Sequence, residues 1–568
     1  MDECGWKECD FIFVSGDAYV DHPSFAAALL CRVLEDAGFR VGIIPQPDWK
    51  DTSSYTVLGR PRLGFLVGAG NMDSMVAHYT AAKRKRSDDP YSPGGKSGLR
   101  PDRASLVYVE GIRRAFKNTR HSKIAVIIGG IEASLRRFAH YDYWTDTVRR
   151  SILLDSKADI LIYGMGEKPL LETAKRLAAG EPADNIRDVR GTCVRVHGKD
   201  NLDLWKDAVL LPCYEKTKGK DDASLRAYAE HFMLCKKNAD PLTAKPLAEE
   251  NDGSRFVIQN PPALPLSTEE MDHVYGLPFT RKAHPMYTNG INALKEVSFS
   301  LVSSRGCFGG CSFCAITSHQ GRAVTGRSRE SLLREARSFT SNEKEFKGYI
   351  HDAGGPTANF FRPVCNRQKR GGFCAERECL FPSPCPNLKA DHGEYLKTLE
   401  ALRKIPGIKK VFIRSGIRFD FIQYDKKHGK EFLETLCRHH VSGQLKVAPE
   451  HVSERVLEAM GKTGSSCYEQ FRKDFTAVNK TLGLKQYLLP YFISAHPGAG
   501  KKEAEELALY LKKTGFTPEQ TQEFYPTPGT MSAVMYRTGL DPRTMKPIYT
   551  AKGDKERRAQ KEMLTRNR

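Results

Sequence analysis

Glu296-Val297-Ser298-Phe299-Ser300-Leu301-Val302, followed at once by Ser303-Ser304-Arg305-Gly306-Cys307-Phe308-Gly309-Gly310-Cys311-Ser312-Phe313-Cys314, is the most informative run in the chain. Its first seven residues read as a strand. That strand runs into a loop with three cysteines in the array Cys-x3-Cys-x2-Cys. Thiolates are the soft ligands that iron–sulfur clusters take. Three of them in one short loop hold three corners of a cubane and leave the fourth iron without a protein ligand. Gly306, Gly309 and Gly310 let the backbone curl around such a group. A structural zinc site more often shows paired Cys-x2-Cys units and four ligands, so the cluster is the better reading.

On the C-terminal side, strands and helices alternate. Ser328 to Phe339 reads as a helix. Strands follow at Gly348 to Asp352, which ends at Gly354-Gly355, then at Lys410 to Ser415, Leu445 to Ala448, Tyr487 to Ile493 and Thr521 to Phe524. With Glu296–Val302 these make six strands with intervening helices, the pattern of a partial (β/α)6 barrel. Barrels of this type carry their chemistry at the carboxyl ends of the strands, where the cysteine loop lies. The expected extent of this domain is 291–545, with a basic tail over 546–568.

On the N-terminal side, apolar strands again alternate with helical patterns. Strands read at Asp10 to Gly16, Arg40 to Ile44, Arg62 to Val67, Lys123 to Ile128 and Asp159 to Gly164, with helices at Ser24 to Gly38 and Lys168 to Ala178. Continuous apolar strands imply burial on both faces, hence a doubly wound parallel sheet over 1–190. Ligands of such sheets sit at the strand carboxyl ends. Gly16, Gly68-Ala69-Gly70, Gly129-Gly130 and Gly164-Met165-Gly166 fall there. Residues 78–105 read as a long loop within this domain. Residues 191–290 lack clear periodicity and are expected as an irregular connector, with Asn260-Pro261-Pro262-Ala263-Leu264-Pro265 extended because proline excludes helix and central strand. His140, Tyr141 and Asp142 are expected at a solvated helix start.

Fifteen cysteines among 568 residues is a high count, and seven lie between Cys307 and Cys385. Four of these, Cys365, Cys374, Cys379 and Cys385, have gaps of eight, four and five in a Gly-, Pro- and Arg-rich loop. They offer either an auxiliary [4Fe–4S] cluster or a zinc ion four thiolates. The other cysteines are scattered and read as ordinary thiols.

The composition, 40% hydrophobic and 27% charged, is that of a soluble globular protein. No apolar run approaches the roughly 18 residues of a membrane span, and Met1-Asp2-Glu3-Cys4 does not begin a secretory signal. A cytoplasmic protein without membrane contact is expected. The net charge of +20 fits either a generally basic surface or an RNA partner.

The loop and its surroundings resemble the YgiQ family of radical S-adenosylmethionine (SAM) proteins. The resemblance rests on Ser303 to Ile316, His319-Gln320-Gly321-Arg322 and Arg327-Ser328. It extends to Val14 to Phe25, Gln46-Pro47-Asp48-Trp49, Asn260 to Ala263 and Ile350 to Thr357. It implies that Cys307, Cys311 and Cys314 ligate a [4Fe–4S] cluster and that SAM chelates the fourth iron. One electron from a donor such as flavodoxin or ferredoxin would then release a 5′-deoxyadenosyl radical onto an unknown substrate. Phe313 matches the position that contacts adenine, and Gly354 and Gly355 match the SAM-amino motif. Pro356 stands where the superfamily often has glutamate. Ile493 to Gly498 and Phe524 to Gly529 match the segments that line the adenine and ribose pocket. The N-terminal domain is similar to cobalamin-binding domains. However, Asp21 and His22 are adjacent where the cobalamin motif spaces them, so the resemblance implies the fold without the cobalamin. Two rival functions stand beside this one: an RNA-modifying enzyme of methylthiotransferase type, and a non-catalytic iron–sulfur redox sensor.

Overall fold

The computed structural model describes residues 1–117, 124–198, 202–341, 345–516, 518 and 521–565. The chain divides into two compact units, 1–264 with 277–298, and 265–276 with 299–568.

In the first unit the apolar runs become β1 (Phe11–Ser15), β2 (Val41–Pro45), β3 (Gly64–Gly68), β4 (Ala125–Gly129) and β5 (Ile160–Ile162), all parallel and in the order β2-β1-β3-β4-β5. The period of two explains why they read as unbroken apolar runs. Ile12, Val14, Phe65, Val67, Val126 and Ile128 face one core, under the helix Ala104–Ala115. Phe11, Phe13, Leu66, Ala125 and Ile127 face the other, under the helices Ala26–Asp36 and Glu167–Ala178. Both faces are dry, as a doubly wound sheet requires. The expected start of β4, Lys123, lies outside the described residues.

The stretch 191–290 is not an irregular connector. It supplies β6 (Thr192–His197), β7 (Val209–Leu210), β8 (Leu247–Asn251) and β9 (Arg255–Gln259), which extend the sheet in the order β5-β6-β9-β8-β7. Polar residues disguise these strands. Glu249 in β8 is fully buried because His231 Nε2 lies 2.7 Å from its carboxylate. His140–Asp142 also departs from expectation: it is buried and forms a hairpin with Thr147–Arg149, not a solvated helix start.

The second unit has six successive parallel positions. β10 (Ser300–Val302) pairs with β14 (Asp352–Gly354), and β13 (Tyr349–Ile350) with β15 (Lys410–Val411). A parallel bridge, Ile417 to Val447, leads to β16 (Gln444–Glu450), which pairs with β17 (Tyr487–Ser494), which in turn pairs with β18 (Gln522–Glu523). This is the expected partial (β/α)6 barrel. Residues Glu296 and Val297 belong instead to a helix, Asn292–Val297, in the first unit. A small antiparallel ribbon, β11 (Ser304–Arg305) with β12 (Thr325–Gly326), brackets the cysteine loop.

The expected basic tail folds back as the helix Asp554–Thr565. Its Arg557 is 2% exposed and donates to Glu523 (2.8 Å) and to the Phe524 carbonyl (2.6 Å). A guanidinium that deep needs such partners, and they tie the helix to the last barrel strand. Among the described residues no helix is long and apolar enough to cross a membrane.

Candidate active site

The ribbon β11–β12 holds the ends of residues 306–324 together at the carboxyl end of β10. Gly306 lies at φ +81°, and a Cβ there would stand 2.0 Å from the Ala323 carbonyl, so no other residue fits the bend. Phe308 is fully buried, stacked on Phe360 at 3.7 Å between centroids. It acts as the apolar anchor from which the cysteines project.

Each cysteine meets a different part of the barrel. Cys307 Sγ lies 3.4 Å from Thr357 Oγ1, so the Gly354-Gly355-Pro356-Thr357 segment packs on the first ligand position. Arg418 Nη1 lies 3.4 Å from Cys311 Sγ. Burial pushes the Cys307 thiol up, and burial together with the neighbouring Cys311 and Cys307 pushes Cys314 up to about 12. The three thiols therefore feel one another. Arg418 is itself buried and braced by Asp420 at 2.5 Å; burial alone would lower its pKa, but the Asp420 carboxylate and the Cys311 sulfur hold it well above the usual arginine value. The Arg418 cation pulls the Cys307 thiol the other way, but burial outweighs it.

The predicted SAM-contacting residues converge on the same end. Ser303 donates from its backbone N and its Oγ to the Gly354 carbonyl, at 2.7 and 3.0 Å. A Cβ on Gly355 would strike Ser304 O and Oγ at 2.8 Å. Ser304 is fully buried, and its Oγ has no hydrogen-bond partner among the described residues. A buried, unsatisfied hydroxyl costs about 1–3 kcal/mol, and it lies beside backbone stripped of side chains. The residues present thus fit a cluster with a polar ligand against Ser304 and Gly355. Phe313 stands edge-on to His496 at 5.9 Å, and His496 edge-on to Phe524 at 4.9 Å, so these three rings, drawn from the predicted segments, lie together.

Arg418, Glu450 and Ser532 at this end were not singled out from the sequence, while Ala495 and His496 fall in the predicted Ile493 to Gly498 segment. Glu450 ends β16 with φ +70°, and Ala495 follows β17 with φ +58°. Both are sparsely populated conformations of the kind concentrated at functional sites. Burial raises the Glu450 pKa, against the pull of Lys462, 3.9 Å away, and of Arg418. His496 Nε2 contacts Ser532 Oγ at 2.7 Å, and Ser532 Oγ donates to Ser312 Oγ at 3.0 Å. Ser532 N also donates to the Ser312 carbonyl at 2.9 Å. The helix Met531–Thr538 therefore rests on the cysteine loop itself. Only proximity across hundreds of residues marks this contact, and the sequence carries no local signal of it.

The strand ends of the first unit look different. Gly16 is pressed on the Ala69 carbonyl, 2.1 Å from where a Cβ would stand. Above it, residues of the 78–105 loop close the crevice. Ala18 N donates to the Tyr91 carbonyl (3.0 Å), Gln46 Nε2 to Ser92 Oγ (2.7 Å), and Arg100 Nη1 to the Ala69 carbonyl (2.8 Å). Arg100, 1% exposed, also lies 2.9 Å from Asp17 and 3.0 Å from Asp89. Both ring nitrogens of fully buried His22 are engaged, by Ser24 N at 3.1 Å and Arg281 Nη1 at 2.8 Å. Both His22 nitrogens thus face groups of the chain itself.

Comparison with known proteins agrees with this architecture. Residues 1–300 match the radical SAM N-terminal family, 301–511 the radical SAM superfamily, and 519–567 a domain of unknown function. A UPF0313 protein of Clostridium botulinum (strain ATCC 19397 / Type A) is 53% identical over 557 residues, 98% of this chain and 84% of that protein. A UPF0313 protein of Clostridium perfringens (strain 13 / Type A) is 50% identical over 567 residues, 99% of this chain and 83% of the other. Two solved structures share the fold at a TM-score of 0.50. One is the radical SAM methyltransferase TsrM of Kitasatospora setae with cobalamin and a [4Fe–4S] cluster bound, 14% identical, covering 92% of this chain and 74% of that one. The other is the cobalamin-dependent SAM radical enzyme OxsB with aqua-cobalamin bound, 13% identical, covering 93% and 55%.

Proposed function

The chain belongs to the radical SAM superfamily and, within it, to the UPF0313 (YgiQ) family, and from that premise we propose that it is an enzyme that cleaves SAM reductively at Cys307, Cys311 and Cys314. When bound, a [4Fe–4S] cluster supplies one electron to the sulfonium of SAM, so that the carbon–sulfur bond breaks to methionine and a 5′-deoxyadenosyl radical. The three cysteines would hold three of its irons. Arg418 offsets thiolate charge at Cys311, and Thr357 donates toward Cys307. Gly354, Gly355 and the hydroxyl of Ser304 receive the methionine end of SAM. Phe313, His496 and Phe524 shield the adenine end from water. The electron comes from a low-potential carrier of the flavodoxin or ferredoxin class. The observation that carries this reading is the unpartnered Ser304 hydroxyl beside Gly355, at the foot of the cysteine loop.

The test is anaerobic. After reconstitution with iron and sulfide, the protein receives SAM and dithionite, and 5′-deoxyadenosine is measured by mass spectrometry. The wild type makes it and the Cys307→Ala/Cys311→Ala/Cys314→Ala variant does not. A wild-type protein that retains no iron defeats the reading.

The first unit shares its fold with cobalamin proteins but offers its strand ends to its own loop. The reading here is therefore SAM chemistry without cobalamin, supported by Arg100 and by the engaged nitrogens of His22. Stoichiometric corrinoid absorbance surviving desalting after incubation with hydroxocobalamin would overturn it.

A further inference from the structure

The four cysteines between residues 365 and 385 lie in a segment with almost no regular structure of its own. Between β14 and the helix Gly393–Arg403 the only helix among the described residues is the four-residue Asn366–Lys369. Yet the segment is closely organised around its sulfurs. Cys365 caps that short helix, its Sγ accepting from Gln368 N at 3.5 Å. The side chain of the same glutamine, 2% exposed, donates Nε2 to Cys379 Sγ at 3.5 Å. Cys385 N donates to the Cys379 carbonyl at 2.9 Å. Arg322 donates Nη1 to the Cys374 carbonyl and Nη2 to the Arg377 carbonyl, both at 3.0 Å, with Cys379 Sγ 4.0 Å away. The sulfurs of Cys365 and Cys379 thus meet at Gln368, while Cys374 and Cys385 join them through backbone contacts to Arg322 and Cys379. None is joined to another as a disulfide.

The loop buries Val364, Phe373 and Leu380, but its sulfurs carry contacts of their own. Arg322 already pairs with Glu378 at 2.8 Å, and its guanidinium also stands beside Cys379 Sγ, a placement that suits a thiolate on a metal centre. N–H groups aimed at sulfur are the contacts that iron–sulfur ligands receive. A tetrahedral zinc, with Zn–S near 2.3 Å, draws its sulfurs to ~4 Å from one another. Among the described residues the only trio of Cys, His, Asp or Glu ligand atoms all within 4.8 Å is Asp391, Asp425 and His428. No three sulfurs of this loop lie that close, and the same holds for Cys307, Cys311 and Cys314, so the two groups share a spacing that a cubane with one thiolate per iron accommodates.

We propose that Cys365, Cys374, Cys379 and Cys385 hold a second iron–sulfur cluster, and that this cluster orders the loop against the SAM-binding end of the barrel. The contact is direct. Glu378, paired with Arg322 at 2.8 Å, lies over Gly310, where a Cβ would come within 2.2 Å of its carboxylate. Cys379 and Cys307 share one apolar cluster with Phe308 and Phe360. The second centre does not depend on the SAM reading, because its ligands and its ordering role are separate from Cys307, Cys311 and Cys314.

Iron, sulfide and zinc are counted on the full chain after anaerobic reconstitution, in three proteins: the wild type, the Cys307→Ala/Cys311→Ala/Cys314→Ala variant and the Cys374→Ser/Cys379→Ser variant. About eight irons are expected in the wild type and about four in each variant. The triple variant also keeps a cluster electron-spin signal that SAM does not alter. Limited proteolysis adds a readout free of catalysis: iron loading of the triple variant protects residues 363–391. About four irons in the wild type and none in the triple variant would overturn the proposal. So would one zinc per chain retained by the triple variant. If the Cys374→Ser/Cys379→Ser variant fails to fold, the wild type and the triple variant decide the question between them.

Discussion

The two units present the same surface, the carboxyl ends of parallel strands, and use it in opposite ways. In the first, the ends of β1 to β3 are covered by the chain's own loop, with Arg100 bonded to the Ala69 carbonyl and ion-paired with Asp17 and Asp89. In the second, the same edge is lined by three cysteines, a buried hydroxyl with no partner and two residues at positive φ. The fold supplies a place for a ligand in both. Whether the place is open depends on what the chain puts there, which is why fold alone does not assign a cofactor.

That contrast can be broken most forcefully at Arg100. Its removal leaves Asp17 and Asp89 buried without their cation, and Arg100→Ala should cost the first unit about 3–5 kcal/mol. A urea midpoint unchanged from wild type would mean that the crevice is not held shut by this group.

Proton linkage separates the two edges by sign. Burial depresses His440 and His451 to about 4 and His496 to about 3. Each stabilises the barrel fully above its unfolded value near 6.5, and this stability is lost as pH falls toward 3–4. Asp17 works the other way. Burial, against the pull of Arg100, raises it to about 6, so its contribution is complete below about 3.8 and fades as pH rises through 6. Hydrogen exchange, corrected for intrinsic rates, should show peptides across residues 444–498 opening more at pH 4.5 than at pH 6.5. Peptides across residues 11–18 should not follow them; parallel behaviour of the two would contradict this assignment.

The finest probe is the unpartnered hydroxyl. Ser304→Ala deletes no hydrogen bond of the free protein, so its melting temperature should hold or rise. If Ser304 meets SAM, the variant should raise the KM for SAM by about three- to tenfold, the worth of one hydrogen bond of 0.5–1.5 kcal/mol. A lowered melting temperature with unchanged KM would place the hydroxyl in the structure and not in the site.

The sequence made the strands legible where both faces are dry, as in Phe11–Ser15 and Gly64–Gly68. It concealed β8 because Glu249 is charged, and the pairing with His231 that makes its burial tolerable comes from a helix further back in the chain. The cysteines were legible because ligands of one cluster must be close along a loop. Arg418, Glu450 and Ser532 were not, because each reaches the site from a separate strand end or helix and carries no local pattern. The same reasoning explains the tail. Asp554–Thr565 reads as a charged end until Arg557 is seen beneath Phe524 and Glu523.

The contact between Ser312 and Ser532 also bears on how the protein is made. The two serines are 220 residues apart. At translation rates of 5–20 residues per second, Cys307, Cys311 and Cys314 leave the ribosome roughly 10–45 s before the helix that rests on them exists. For that interval the thiols are on a nascent chain without their finished surroundings, exposed to oxidants and stray metals. Delivery of iron and sulfide is therefore expected to follow chain release, and a polypeptide that stalls before residue 531 would carry every ligand of the centre and still lack the support that fixes it.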